Sequence, residues 1–150
     1  MIKKLLLVFT FSLHLFAFDT IYFLPNQAKE VKSEILKLIK NAEKSVDVAI
    51  YSIDDKSFTK ALKKAAKNGV EVTVIYGKSK LKFHKKIKLI TTKRKQHIKL
   101  AIIDDKIAIY GSANWKKESF GKNYEILNIT DDSTRVERFK EIIQEIKKEN

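Results

Sequence analysis

The sequence has no cysteine, one proline and four glycines. The missing cysteine excludes disulfides, a thiol redox switch and any thiolate zinc site. One proline in 150 residues, 44% of them hydrophobic, excludes a disordered proline-rich chain and describes a globular one. No long Gly/Ser linker and no internal repeat interrupts it, so the chain reads as a single domain. Acids are also scarce. Asp and Glu number 18 against 31 Lys and Arg, giving a net charge of +13. A surface of that sign suits polyanionic partners.

The longest apolar run opens the chain. Lys3 and Lys4 precede residues 5–18, which are apolar apart from Thr10, Ser12 and His14. This is the layout of a secretory signal with Ala17 as the cleavage position. The run is short for a membrane-spanning helix, and an uncleaved N-terminal anchor giving membrane attachment is the alternative. Residues 1–17 are therefore expected to be a signal peptide and 18–150 the folded domain, exported to the periplasm or beyond. Removing the leader takes away two lysines and no acid, lowering the charge from +13 to +11.

Periodicity gives the fold class. Residues 20–24 read as a short strand. Val31, Ile35 and Leu38 recur at helical spacing, and Val46, Val48 and Ile50 alternate as in a strand. Phe58, Leu62, Ala65 and Ala66 mark a second helical face, stopped at Asn68-Gly69. Residues 70–76 read as a buried strand. Val136, Phe139 and Ile143 form the inner face of a last helix starting near Asp132 or Ser133. Early strand–helix alternation followed by a late hairpin predicts an α/β fold, a mixed sheet with helices packed on both faces.

The chemistry is concentrated in residues 96–115, QHIKLAIIDDKIAIYGSANW, which carry H-x-K-x4-D-x6-G-S-x-N once. Residues 97–103 read as a strand, on which His97 and Lys99 share one face, roughly 6–7 Å apart. That spacing suits two groups gripping one phosphate. Imidazole attacks phosphorus when neutral and donates a proton when charged. Lysine offsets charge that builds on phosphoryl oxygens. Asp104 lies seven residues on with opposite parity, roughly 23 Å away along a strand. It is read as a turn residue of Asp104-Asp105-Lys106, not as the acid that orients His97. After a second strand over 107–110, Gly111 permits a sharp bend or close backbone approach. Ser112 and Asn114 supply groups that bond phosphate oxygens. Glu125 lies on a third strand over 123–129, where a carboxylate needs a partner; a histidine ring nitrogen is one.

This run resembles the signature of the phospholipase D superfamily, the HKD enzymes. The single copy, short length and basic charge are most similar to the bacterial Nuc-type endonuclease branch. The resemblance extends to helix 28–42, strand 45–52, the helix ending at Asn68-Gly69 and strand 70–76. It covers nearly everything beyond residue 20 and is weakest over 78–95. It implies a phospholipase D-like fold and a two-step phosphodiester transfer through phosphohistidine, with no metal or other cofactor. Carried over by position, His97 is nucleophile or acid, and Lys99 and Asn114 hold phosphate with Ser112 in support. Glu125 matches the acid that orients histidine, and Asp104 and Gly111 match structural positions.

The chemistry that the resemblance implies requires two histidines, one as nucleophile and one as acid, and the chain offers one suitable site. His14 lies in the leader, and His84 has Lys86 after it but Thr91 where an aspartate belongs. The expectation is a two-fold homodimer with both motifs at a self-complementary interface. Residues 78–95 hold nine Lys and Arg and no acid. They read either as a solvated mobile loop or as a phosphate-tracking arm, with Phe83 and His84 placed to stack on bases. The leading function is an exported, metal-independent endonuclease acting on DNA, and on RNA as a further substrate, without sequence preference. A lipid hydrolase acting on anionic lipids such as cardiolipin, and a non-catalytic nucleic-acid-binding module, are the competing readings.

Overall fold

The computed structural model describes residues 18–79 and 82–150. The leader expected over 1–17 lies outside the described residues. Seven strands form one sheet: β1 (Asp19–Leu24), β2 (Ser45–Ile53), β3 (Glu71–Ser79), β4 (Lys88–Thr91), β5 (Lys99–Ile103), β6 (Ile107–Gly111) and β7 (Glu125–Thr130). Their spatial order is β1-β7-β6-β5-β2-β3-β4. The β2–β3 and β3–β4 pairs are parallel and the remaining pairs antiparallel, so the sheet is mixed. Four helices are described: α1 (Ala28–Lys40), α2 (Lys56–Lys67), α3 (Lys117–Gly121) and α4 (Ser133–Glu149).

Side-chain alternation divides the core between two faces. On one, Val46, Val48, Ile50, Val72, Val74, Ala101, Ile103 and Leu127 pack beneath α1, α2 and α3, which add Ile35, Phe58, Leu62 and Phe120. On the other, Ala49, Ile75, Leu100, Ile102 and Ala108 meet Val136 and Ile143 of α4. Helices thus cover both faces. Local chemistry sets the ends of α2 and α4. Asp55 caps α2 by accepting from Ser57 N–H at 2.9 Å, and Asp132 caps α4 through Arg135 N–H at 2.8 Å. Gly69, at φ +95°, turns the chain after α2 at a backbone angle that favours glycine.

Two expectations are corrected. Residues 78–95 are not one loop: β3 runs on to Ser79, and β4 adds a parallel strand in register Thr73↔Lys88 to Tyr76↔Thr91. Its four residues, one of them charged, are too few to show alternation, and the pairing comes from β3. The motif strand starts at Lys99, so His97 precedes it instead of lying on it.

Candidate active site

The antiparallel β5–β6 hairpin aligns Leu100 with Tyr110. The residues just before β5 and just after β6 are therefore neighbours at one end of the sheet. The β6–β7 register, Gly111↔Leu127, brings the start of β7 to the same end. His97, Lys99, Ser112, Asn114 and Glu125 gather there from three separate stretches of chain. An open groove leads from His97 and Lys99 past Ser112 to Phe139 and Ile142 of α4.

His97 is exposed and Lys99 partly buried. Lys99 Nζ donates to the His97 backbone carbonyl at 2.6 Å and stands 3.3 Å from Nδ1. As a hydrogen bond from an ammonium, which has no lone pair, this contact makes Nδ1 the acceptor and assigns the proton of a neutral imidazole to Nε2. That tautomer offers a proton outward. Burial lowers the Lys99 pKa below the ordinary lysine value; Glu125 opposes the shift and Lys95 adds to it. A phosphate oxygen beside Nζ would favour the charged form.

Asn114 is held by its carbonyl. Its Oδ1 accepts the Ser52 N–H at 3.0 Å at the end of β2, which turns the Nδ2 donors outward. The next residue locks this arrangement: Trp115 N–H donates to Ser52 O at 3.2 Å, Asp54 and Asp55 donate to Trp115 O, and the indole stacks on Phe58 with centroids 4.5 Å apart. Ser112 is a link between strands. Its hydroxyl donates to Glu125 Oε2 at 2.5 Å and accepts from Ile126 N–H at 3.1 Å. Its one proton is committed to Glu125, so of Ser112, Asn114 and Lys99 the last two keep donors for an outside anion. The Glu125 carboxylate takes a second bond from Asn123 at 3.1 Å. Among the described residues Glu125 makes no hydrogen bond to His97. Gly111 is required by space, because a Cβ there would lie 2.1 Å from the Ile126 carbonyl oxygen.

Asp104 occupies the far end of β5. With Asp105 it has positive φ (54° and 58°), and Lys106 N–H closes a primed turn on Ile103 O at 2.9 Å within the three-residue connection from Ile103 to Ile107. Its carboxylate accepts from the N–H groups of Lys44 at 2.7 Å, Ser45 at 3.0 Å and Glu43 at 3.0 Å. Burial raises its pKa, but these three donors prevail and hold it below the usual carboxylate range.

Sequence reading missed three neighbours of His97. Tyr51 on β2 lies with its ring 5.3 Å from the imidazole, and Lys95 Nζ lies 6.0 Å from that same tyrosine ring. Gln96 is buried between two exposed neighbours, donating to Ile75 O at 3.4 Å and accepting from Ile98 N–H. Gly77 leaves room for this packing, since a Cβ there would stand 2.7 Å from the Tyr51 ring. No local signal marks them, because each contact joins distant strands.

A family model described as "Cardiolipin synthase, PLD-like domain" matches residues 35–147. Cardiolipin synthase 1 of Bacillus anthracis is 29% identical over 135 residues, which is 75% of this chain and 25% of that protein. The chain thus spans about a quarter of the length of the curated relatives it matches. The solved structure of NucT from Helicobacter pylori superposes with a TM-score of 0.82 at 30% identity, covering 89% of this chain and 97% of that one. Nuc from Salmonella typhimurium, a phospholipase D family member, shares the fold at TM-score 0.74 and 24% identity, covering 89% and 95%. With its single motif gathered at one end of a seven-stranded sheet and a family match over most of its length, this chain belongs to the phospholipase D-like family.

Proposed function

We propose that the protein is an exported, metal-independent phosphodiesterase that cleaves nucleic acid through a phosphohistidine, working as a two-fold dimer. The contact of Lys99 Nζ with His97, 3.3 Å from Nδ1, carries the reading. A phosphate oxygen arriving in the groove draws the ammonium off the ring and frees His97. The proton then shifts to Nδ1 and Nε2 attacks phosphorus. A P–N bond forms and the P–O bond to the leaving oxygen breaks, with that oxygen taking a proton from the second subunit's imidazole. Water next attacks phosphorus, gives its proton to that second imidazole, and the P–N bond breaks. Lys99 and the Asn114 amide stabilise the charge on the phosphoryl oxygens in both steps.

The dimer is supported by a half-covered sheet. On its own face α4 packs against β5 and β6. Beside the active site Phe23 and Tyr124 stack with ring centroids 5.8 Å apart, and Ile21 and Ile126 lie 68% and 56% exposed. Such a patch next to a site that needs a second histidine fits a second copy of this chain.

Nucleic acid is favoured over lipid by the net charge and by the near-complete match to the single-domain NucT, against a quarter of the cardiolipin synthases. The test is digestion of single-stranded DNA, duplex DNA, RNA and cardiolipin liposomes in EDTA, beside a His97→Ala control. DNA cleavage that persists in EDTA and disappears in the control is expected. Loss of activity on chelation, or turnover of the liposomes alone, would end the proposal. Mixing His97→Ala with Lys99→Ala chains addresses the dimer, because a site shared between subunits titrates with their ratio.

A further inference from the structure

Every charged residue on α2 is a lysine. The helix buries Phe58, Leu62, Ala65 and Ala66 and exposes Lys56, Lys60, Lys63, Lys64 and Lys67. Four of these follow i, i+4, i+7 and i+11, so they form one row opposite the buried face, roughly 17 Å long at 1.5 Å per residue. Among the described residues, none of the five takes part in an ion pair. By contrast, α4 interleaves its five cations with Glu137, Glu141, Glu145 and Glu149, and Arg135, Arg138, Lys140 and Lys147 are ion-paired. Like charges at helical spacing repel and weaken a helix. A row kept free of acids is disposed toward an outside anion.

The chain after β3 extends the row. Lys63 and Lys67 lie within electrostatic reach of His84, as do Lys85 and Lys86, and all four lysines are exposed. The Thr73↔Lys88 register puts this cluster toward the start of β3, away from the active site. At the other end, Lys56 follows by four residues Ser52, whose N–H holds Asn114. The row therefore runs from the margin of the active site along the outer surface to the cluster at 84–86.

We propose that this outer face of α2, ending at Lys85 and Lys86, is a second binding site for a nucleic-acid backbone. The class of polymer rests on the function proposed above. A helix that lies on a membrane inserts its apolar face, whereas the apolar face of α2 is buried in the core and, apart from Leu89 on β4, the exposed large hydrophobic residues lie elsewhere. A line of uniform positive charge without base-reading side chains matches sugar–phosphate and not sequence. The chain then grips a polymer at phosphates beyond the one it cleaves.

The test uses the full chain carrying His97→Ala, which prevents cleavage, and measures affinity for long single-stranded DNA against salt. Lys60→Gln/Lys63→Gln/Lys67→Gln is compared with Lys29→Gln/Lys37→Gln/Lys40→Gln, an equal charge loss on α1, where Glu30 and Glu34 intervene. The α2 triple is expected to bind at least about tenfold more weakly, with a salt slope shallower by about 2, near 0.7 for each phosphate that is no longer neutralised. The α1 triple should weaken clearly less. If the α2 triple does not fold by circular dichroism, Lys63→Gln alone should lower the slope by about 0.7. Equal weakening in both triples, an unchanged slope, or no DNA binding by the parent would overturn the proposal. So would an α2 triple that releases phosphatidylglycerol vesicles while keeping DNA. Because binding is read in a chain without its histidine, failure of the hydrolase reading would show separately.

Discussion

The two ends of β5 are built for opposite purposes. At the Ile103 end, Asp104 is fixed by three backbone N–H groups in a turn that needs two positive φ angles. At the Lys99 end, His97 stands exposed before the strand begins, touched by Lys99 and the Tyr51 ring. One motif thus contains, across five residues of strand, an anchor at one end and at the other the group that reacts in the proposed function. The anchor fixes where β5 lies against β2, and this sets where the imidazole is presented. Letters that look equivalent in a motif can have separate physical duties, which strand geometry distinguishes.

That contrast can be broken most directly at His97. His97→Ala should lower phosphodiester hydrolysis about a thousandfold or more and change the thermal midpoint little, because the ring is exposed. A large drop in stability would show that the reacting end also anchors. Asp104→Asn should do the reverse. It keeps a residue that tolerates positive φ but removes a charge from three N–H donors, costing about 1–2 kcal/mol and a few degrees in Tm, with kcat per folded molecule retained.

The pH dependence gives that second variant a sharper form. The Asp104 pKa is depressed in the folded state, so its contribution is fully present above the ordinary carboxylate range and fades as pH falls through the lower folded value. The stability gap between the parent and Asp104→Asn should be constant from neutral pH to mildly acidic pH and close in stronger acid. Denaturant melts at several pH values would measure it. The smallest effect is expected from Lys95→Gln. Burial dominates the lowered Lys99 pKa and Lys95 adds to it. The variant should therefore move the alkaline limb of KM toward higher pH without altering kcat at neutral pH. A limb that stays in place would remove Lys95 from the electrostatics of the reacting end.

Much of the fold and site is legible in the sequence because it is local. The i+4 spacing of Val31 and Ile35, the Asn68-Gly69 stop and the Asp132 cap each act within a few residues, and all stand in the fold. The opposite parity of Asp104 separates it from His97 on sequence alone. The rest depends on distant pairing. Tyr51 reaches His97, and Gly77 makes room for Tyr51, only because β2 lies between β5 and β3. Gln96 follows Lys93, Arg94 and Lys95 and has the polarity of an exposed residue, yet a carbonyl on β3 draws it inside. β4 owes its strand conformation to β3 more than to its own composition.

The two borders of the sheet have a consequence for handling the protein. At the β4 border Lys88 is exposed, with Lys85 and Lys86 just ahead of it, so a foreign strand adding there meets positive charge. The β1 border carries exposed Ile21 and Phe23 and no lysine. Intermolecular strand addition during refolding is thereby steered to β1. Concentrated salt, by screening the lysines, would open the second route and make the protein precipitate from both sides.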